Sequence, residues 1–336
     1  MSFLDVVVFI SLFITCNSLS LDKRIEEKFL NSTHTNNWAV LVDTSRYWFN
    51  YRHVTNVLIF YEAVKRLGIP DSNIIMMLAD NIPCNARNPQ PGEIHDDLNN
   101  NLYLNDIEVD YHGYEVTVEA LVRLLTGQVD ENTPRNKRLL SDQQSNVMVY
   151  LTGHGGVGFL KFQDAEEFTE VDVANVVETM YQQKRYNELF LIADTCHSES
   201  LYRSITSPNV LATSSSLLEE ESVSYHMDSA IGVHTVDRYA FFCGRFLTKH
   251  VQDRNSTATM SGYLDSCPRE DCLSGIGQRT DLFNRDPSRV RVVDFFGARK
   301  YTKPSTSEVN LLEEDGTPFT VVNDWMGLGK DRHLEY

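Results

Sequence analysis

The chain has 336 residues, of which 42% are hydrophobic and 10% aromatic, a composition typical of a globular protein with a sizeable core. Its 30 basic and 47 acidic side chains give a net charge of −17. Because nucleic acids are bound through clustered lysines and arginines, this balance argues against a nucleic-acid partner.

The N-terminus predicts a signal peptide over residues 1–20. Residues 6–15 form an apolar run of the length found in such signals, and small residues follow at Ser18 and Ser20. The run is shorter than the roughly 20 residues that a transmembrane helix needs. No lysine or arginine precedes it, which departs from the usual pattern, and a buried helix is the alternative. We expect a mature chain in an oxidising compartment, with no membrane span of its own.

The middle of the chain alternates strand and helix patterns. The predicted strands are continuous apolar runs, and the predicted helices carry apolar residues at helical spacing. Strands are expected at 38–42, 74–79, 146–152, 188–194 and 209–215, and helices at 56–67, 115–126, 171–185 and 237–250. This alternation is typical of an α/β fold with a mostly parallel sheet and helices on both faces. We expect one domain over 32–299 and a polar, disordered tail over 300–336.

Two polar segments follow successive predicted strands and indicate a site. His154 lies among glycines after one strand, and Cys196 follows the next. In parallel sheets, reactive groups collect beyond the carboxyl ends of the strands, and a right-handed crossover often makes such strands neighbours. The side chains of His154 and Cys196 are therefore expected to face each other.

A cysteine beside a histidine can act as a nucleophile with its base. A nearby imidazolium is expected to lower the pKa of the thiol from about 8.5, so that a thiolate persists. The backbone N–H groups of Gly155 and Cys196 could hold the oxyanion of a tetrahedral intermediate. Taken singly, Cys196 could be a small buried hydrophobe and His154 a turn residue. Their joint position after neighbouring strands favours catalysis.

The remaining cysteines and the sequons agree with a secretory protein. If Cys16 leaves with the signal, five cysteines remain, and an odd number implies a free thiol or a bond to another chain. Cys267 and Cys272 could close a tight loop. Glycosylation sequons begin at Asn31 and Asn255. Paired C-x-x-C motifs are absent from the sequence, so zinc is not expected.

The segments YLTGHGG and IADTCHS resemble the legumain-like, caspase-related cysteine peptidases. Longer segments are similar to one branch of this family, the catalytic subunits of glycosylphosphatidylinositol (GPI) transamidases. Two of these segments are NNWAVLVDTSRYWFNYRH and GHGGVGFLKFQD. The resemblance covers about residues 36–297 and implies a caspase-like sheet. It implies an enzyme of the endoplasmic reticulum lumen that cleaves a proprotein's C-terminal GPI signal through a thioester on Cys196. The ethanolamine amine of a GPI lipid would then take up the new C-terminus.

The same resemblance implies roles for further residues. His154 would be the base and Asn50 the residue that orients it. Ser215 and Ser216 would line a pocket for a small substrate residue, although a polar loop is nearly as good an interpretation. His197 and Ser198 stand where relatives more often have small or amide residues, and bulk there could alter the substrate channel.

The resemblance also implies partners. Cys84 would form a disulfide with another subunit of the complex, and partner subunits would bring the chain to the membrane and exclude water. The chemistry requires no cofactor. Asp71, Glu108 and Asp110 would hold a structural calcium ion, which oxygen ligands suit, although a solvated acidic face is the default interpretation.

Two other functions stay open at this point. A soluble legumain-like endopeptidase would hydrolyse the thioester with water. A non-catalytic component of a complex would keep His154 and Cys196 without using them.

Overall fold

The computed structural model describes residues 33–96, 100–103 and 107–299, and the backbone of two short strands further on. The predicted signal peptide over 1–20 and the sequon at Asn31 lie outside the described residues. Contacts divide the chain into residues 1–300 and 301–336.

The described strands and helices of the first unit follow one another in the predicted alternation. The strands are β1 (Asn36–Asp43), β2 (Ile74–Leu78), β3 (Tyr111–His112), β4 (Ser145–Thr152), β5 (Gly155–Gly156), β6 (Phe159–Phe162), β7 (Glu166–Thr169), β8 (Glu188–Asp194), β9 (Val210–Ser214), β10 (Ser224–Asp228), β11 (Val233–Asp237) and β12 (Gly277–Arg279). The helices are α1 (Tyr51–Arg66), α2 (Val118–Thr126), α3 (Glu170–Gln182), α4 (Arg238–His250), α5 (Met260–Leu264), α6 (Arg269–Cys272) and α7 (Val293–Phe296).

The central sheet has the strand order β12-β9-β8-β4-β1-β2-β3. Every neighbouring pair is parallel except β12 with β9, which is antiparallel. The mostly parallel sheet predicted from the sequence is therefore confirmed. Strands β1, β4 and β8 are adjacent, so their carboxyl ends meet at the middle of one edge.

Helices cover both faces of this sheet. Successive side chains of a strand point to opposite faces, so Leu41 joins the core under α1 and α4 while Val40 joins the core under α2 and α3. Strand β4 divides in the same way, with Tyr150 on the first face and Val149 on the second. Burying each such side chain stabilises the fold by roughly 1.5–3 kcal/mol, and this double burial explains the continuous apolar strands.

Local signals mark the ends of several helices. Gly68 has φ +91° after α1, and Gly127 has φ +72° after α2, a conformation in which glycine is not strained. Thr169 and Asp172 form a capping box at the start of α3.

The short strands outside the central sheet were not predicted. β5, β6 and β7 form a three-stranded antiparallel sheet directly after His154, and β10 pairs with β11 as a hairpin. β5, β6 and β7 have two to four residues, which is too short for periodicity to reveal, and β10 and β11 mix polar with apolar residues and so are not continuous apolar runs. The hairpin packs beside the start of α1, where Trp48 Nε1 donates to the carbonyl of Ile231 at 3.0 Å.

In residues 301–336, the described strands β13 (Asn310–Leu312) and β14 (Pro318–Thr320) pair antiparallel. Among the helices of the described residues, none is both long and apolar enough to cross a membrane.

Candidate active site

The sheet register places His154 and Cys196 at the same step beyond two adjacent strands. Thr152 of β4 pairs with Asp194 of β8, and each candidate residue lies two positions further on. The turns that carry them touch, because a Cβ built on Gly155 would lie 2.6 Å from Oγ1 of Thr195. Only glycine therefore allows this approach. The fold brings the predicted pair to one place on the edge of the sheet.

Asn50 holds the imidazole of His154. Its Oδ1 lies 2.7 Å from Nε2 of His154, while its Nδ2 donates to the carbonyl of Arg46 at 2.5 Å. Because the amide must present its oxygen to His154, Nε2 carries the proton and Nδ1 is left as the base. Asn50 is only 2% exposed, which excludes water from this bond.

The surroundings of Cys196 disfavour ionisation of its thiol. Burial, with Glu221 and Asp237 adding negative charge, raises the pKa of Cys196 to about 12. Burial and the charge of Arg52 lower the pKa of His154. The expectation of a persistent thiolate beside an imidazolium is therefore wrong for this structure, since the low-dielectric site disfavours both charges.

A buried acid stands behind the histidine. Asp237 accepts from Arg52 Nε at 3.0 Å and from Asn56 Nδ2 at 2.6 Å. The ring of His53 lies 5.1 Å from that of His154, edge to face, and its Nε2 is 3.6 Å from Asp237. Burial lowers the pKa of His53 well below its ordinary value, so this ring supports His154 as a neutral group.

Sequence reasoning missed this network. Arg52 and Asn56 lie one helical turn apart on α1, shortly after Asn50, and that spacing was the available signal. Asp237 is 181 residues from Asn56, and only the fold joins them.

Ser215 and Ser216 hold the turn that carries the nucleophile. Both are fully buried, and their hydroxyls donate to the carbonyl of Thr195 at 3.3 and 2.9 Å. The hydroxyl of Ser198 lies 3.0 Å from that of Ser216. A pocket role for Ser215 and Ser216 stays a prediction.

His197 points away from its neighbour Cys196. Its backbone is left-handed, with φ +53°. Its Nδ1 lies 2.8 Å from the carbonyl of Leu218, and its Nε2 lies 3.3 Å from Glu221. This side chain therefore ties the nucleophile's turn to the loop at 218–221.

The three acids predicted to bind calcium are differently engaged. Glu108 and Asp110 each accept from Nδ2 of Asn136 at 3.0 Å, so these two converge. Asp71 is ion-paired with Lys65 and accepts from Tyr61 at 2.9 Å. Across the described residues, there is no group of three or more His, Cys, Asp or Glu side chains that could hold a metal ion. A calcium ion held by Asp71, Glu108 and Asp110 stays a prediction.

A disulfide joins Cys267 and Cys272, whose Cα atoms are 5.5 Å apart. Among the described cysteines, Cys84, Cys196 and Cys243 are free. Cys84 is exposed and follows β2, whereas Cys243 is buried in α4. Asn255 is exposed in the loop after α4.

Residues 37–263 match the Peptidase C13 family, and this span includes Asn50, His154 and Cys196. The chain therefore belongs to the peptidase C13 family, as the sequence motifs predict.

Within that family, the chain is similar to proteins named as GPI-anchor transamidases. It is 55% identical to a putative GPI-anchor transamidase of Caenorhabditis elegans, over 88% of this chain and 92% of that protein. It is 52% identical to a Drosophila melanogaster counterpart, over 96% and 92%. The GPI-anchor transamidase of Homo sapiens is 51% identical, over 86% of this chain and 73% of that protein. The predicted resemblance is thereby confirmed.

Among solved structures, a caspase-1 from Spodoptera frugiperda matches with a TM-score of 0.40 and 10% identity, over 70% of this chain and 78% of that one. This similarity is too distant to support an argument about function.

Proposed function

We propose that this chain is the catalytic subunit of a GPI transamidase, which replaces a proprotein's C-terminal signal with a GPI lipid. The observation that carries the proposal is the hydrogen bond of Asn50 to His154, at the step of the sheet edge where the register of β4 with β8 also places the free thiol of Cys196. The identity of about half with proteins named GPI-anchor transamidases, over most of the chain, supports the choice of reaction.

The first half of the reaction makes a thioester. Sγ of Cys196 attacks the carbonyl carbon of the scissile peptide, and its proton passes to Nδ1 of His154. The N–H groups of Gly155 and Cys196 would stabilise the oxyanion. The C–N bond then breaks, and the imidazolium gives its proton to the leaving amine.

The second half reverses these steps with another amine. The ethanolamine amine attacks the thioester carbon and gives a proton to Nδ1 of His154. The C–S bond breaks, an amide forms, and Cys196 recovers its proton. Because the resting pair is neutral, His154 can serve as the base in both halves, and Asn50 keeps its ring in place throughout.

Partners and location belong to the same proposal. The exposed thiol of Cys84 is accessible to a disulfide with another subunit of the complex, as the resemblance implies. That subunit would hold the chain at the membrane of the endoplasmic reticulum. A structural calcium ion has no part in the steps above.

The test separates transfer from hydrolysis. Membranes from cells that lack the endogenous subunit would receive this chain or Cys196→Ala, with a reporter proprotein and hydrazine as a small amine. The proposal predicts that wild type forms a C-terminal hydrazide on the reporter and Cys196→Ala does not. Cleavage to a free acid in the presence of hydrazine would instead establish an endopeptidase. Equal amounts of product from wild type and Cys196→Ala would show that this chain is a non-catalytic component of the complex.

A further inference from the structure

Three large aromatic side chains on the surface that extends from His154 are exposed. Tyr47 is 49% exposed, Phe49 55% and Tyr114 79%. Residues of this size are mostly buried, and an exposed group of them marks a binding surface more often than chance. We call Arg46, Tyr47, Phe49 and Tyr114 the aromatic ledge.

The aromatic ledge begins at the catalytic imidazole. The ring of Phe49 lies 6.4 Å from that of His154, and Tyr47 stacks on Phe49 at 6.1 Å with 15° between the planes. The guanidinium of Arg46 lies 5.5 Å from the ring of Tyr47 and 4.4 Å from that of Tyr114. Aromatic faces and one cation thus form a continuous surface.

The backbone is strained at one residue of this surface. Tyr47 has φ +76°, a rare conformation for an aromatic residue. Its N–H donates to Asp80 at 2.7 Å, and the next residue, Trp48, is buried and bonded to Ile231. Such strain persists only where the surroundings enforce it, and it is common at binding sites.

No carboxylate is ion-paired with Arg46 among the described residues. Its guanidinium is hydrogen-bonded to the side chain of Tyr114, within the aromatic ledge itself. Asp80 also acts on Arg46 electrostatically, but its two oxygens accept the N–H groups of Tyr47 and Asn81. The positive charge therefore has no paired anion in the described part of the chain, and an anionic ligand could take that place through charge-assisted hydrogen bonds.

The chemistry of the two candidate occupants differs. His154 protonates the leaving amine and deprotonates the incoming one, so both pass on the side where the aromatic ledge begins. The leaving segment starts with small residues and a polar spacer of about 8–12 residues, which offer little to aromatic rings or to a cation. The acceptor amine carries an anionic phosphate two carbons away, followed by sugars whose apolar faces can stack on rings.

We propose that the aromatic ledge binds the acceptor, with Arg46 on the phosphate of its ethanolamine phosphate and Tyr47, Phe49 and Tyr114 against the adjoining sugars. The inference rests on the proposed transamidase function. It gives the amine a binding site from which to outcompete water at the thioester.

The test compares three soluble amines in the membrane-bound complex. Glycerophosphoethanolamine carries the phosphate diester, ethanolamine lacks it, and hydrazine needs no binding site. Wild type should prefer glycerophosphoethanolamine over ethanolamine. Arg46→Met should lower that preference about tenfold, as expected for a lost charge-assisted hydrogen bond, and Arg46→Lys should lower it less. Formation of the hydrazide should not change.

Further variants keep the test independent of folding. Tyr114→Ala removes an exposed ring and should reduce transfer to the endogenous GPI about threefold without changing the hydrazide yield. Arg123→Ala and Tyr181→Ala, exposed residues on α2 and α3, are the matched controls and should behave as wild type.

Each other outcome has a defined meaning. An unchanged preference in Arg46→Met, or a wild type with none, would overturn the acceptor site while leaving transamidation standing. If Arg46→Met lowered the hydrazide yield as much as transfer to glycerophosphoethanolamine, the aromatic ledge would be assigned to the proprotein. That result would also overturn the acceptor site. A wild type that forms no hydrazide would remove the proposed function itself.

Discussion

Oδ1 of Asn50 lies 2.7 Å from Nε2 of His154, although Asn50 occupies the N-cap of α1 and makes no capping bond there. Asparagine is a preferred N-cap because its oxygen accepts a backbone N–H of the first turn. Here that oxygen hydrogen-bonds His154 instead. The helix therefore lacks the stabilisation of a side-chain cap, and the imidazole is held in a fixed position.

Asn50→Ala should therefore lower turnover more than it lowers stability. Without the amide, the imidazole loses its fixed tautomer and orientation, and we expect hydrazide formation to fall about 100-fold. Asn37→Ala is the control, because Asn37 is also buried and bonded to a backbone carbonyl, that of Gly297. It should destabilise the chain without slowing turnover. Similar turnover in the two variants would contradict the orienting role.

The pH dependence of turnover should show a neutral base. Burial, and then the charge of Arg52, hold the pKa of His154 below 6.5, so activity should fall only as the pH drops below that value. Arg52→Gln removes one cause and leaves the charge of Asp237 less compensated, which should move the acid limb to higher pH. Single-turnover cleavage of the reporter between about pH 4.5 and 8, without added hydrazine, measures this, because the protonation of an acceptor amine then does not contribute. An unmoved acid limb would rule out the electrostatic coupling.

Asp43, a buried acid at the carboxyl end of β1, should affect the free energy of unfolding. Burial raises the pKa of Asp43 well above 3.8. Its Oδ1 accepts the N–H of Ser45, whereas its Oδ2 has no hydrogen-bond partner in the described part of the chain. Because the folded pKa exceeds the unfolded one, this carboxyl costs stability increasingly as the pH rises above the unfolded value.

Asp43→Asn keeps the bond to Ser45 and should be more stable than wild type by about 1–3 kcal/mol near pH 7, with the gain vanishing near pH 4. Thermal unfolding of the two chains across this range measures it. Glu131→Gln, at an exposed position, controls for the loss of one negative charge. A gain that does not change with pH would show that Asp43 is not the titrating group.

Cys84 should carry a covalent link to another subunit. Non-reducing electrophoresis of the native complex should show a heavier band that disappears in Cys84→Ser, because this thiol is exposed. Cys243→Ala removes a buried thiol and should leave the band in place. A wild-type chain that runs at its own mass without reductant would refute the link.

The sequence predicted the sheet because its strands are buried on both faces and therefore read as continuous apolar runs. It predicted His154 and Cys196 because each follows such a strand, and the register of β4 with β8 then aligns them. The role of Asn50 came from the resemblance, since Asn50 taken alone indicates only a turn residue.

The features of the site that the sequence did not predict depend on contacts between distant segments of the chain. Asp237 reaches Arg52 and Asn56 only because β11 packs on α1. The expected thiolate was wrong because local motifs do not report how dry a site is, and burial raises the pKa of Cys196. Residue types alone also could not show that Asp71 is ion-paired with Lys65.

The most direct measurement is a rescue experiment in cells that lack the endogenous subunit. Wild type, Cys196→Ala and His154→Ala would each be restored, and a GPI-anchored reporter would be counted at the cell surface. We expect wild type alone to return the reporter to the surface. Rescue by all three chains would contradict catalysis by this pair.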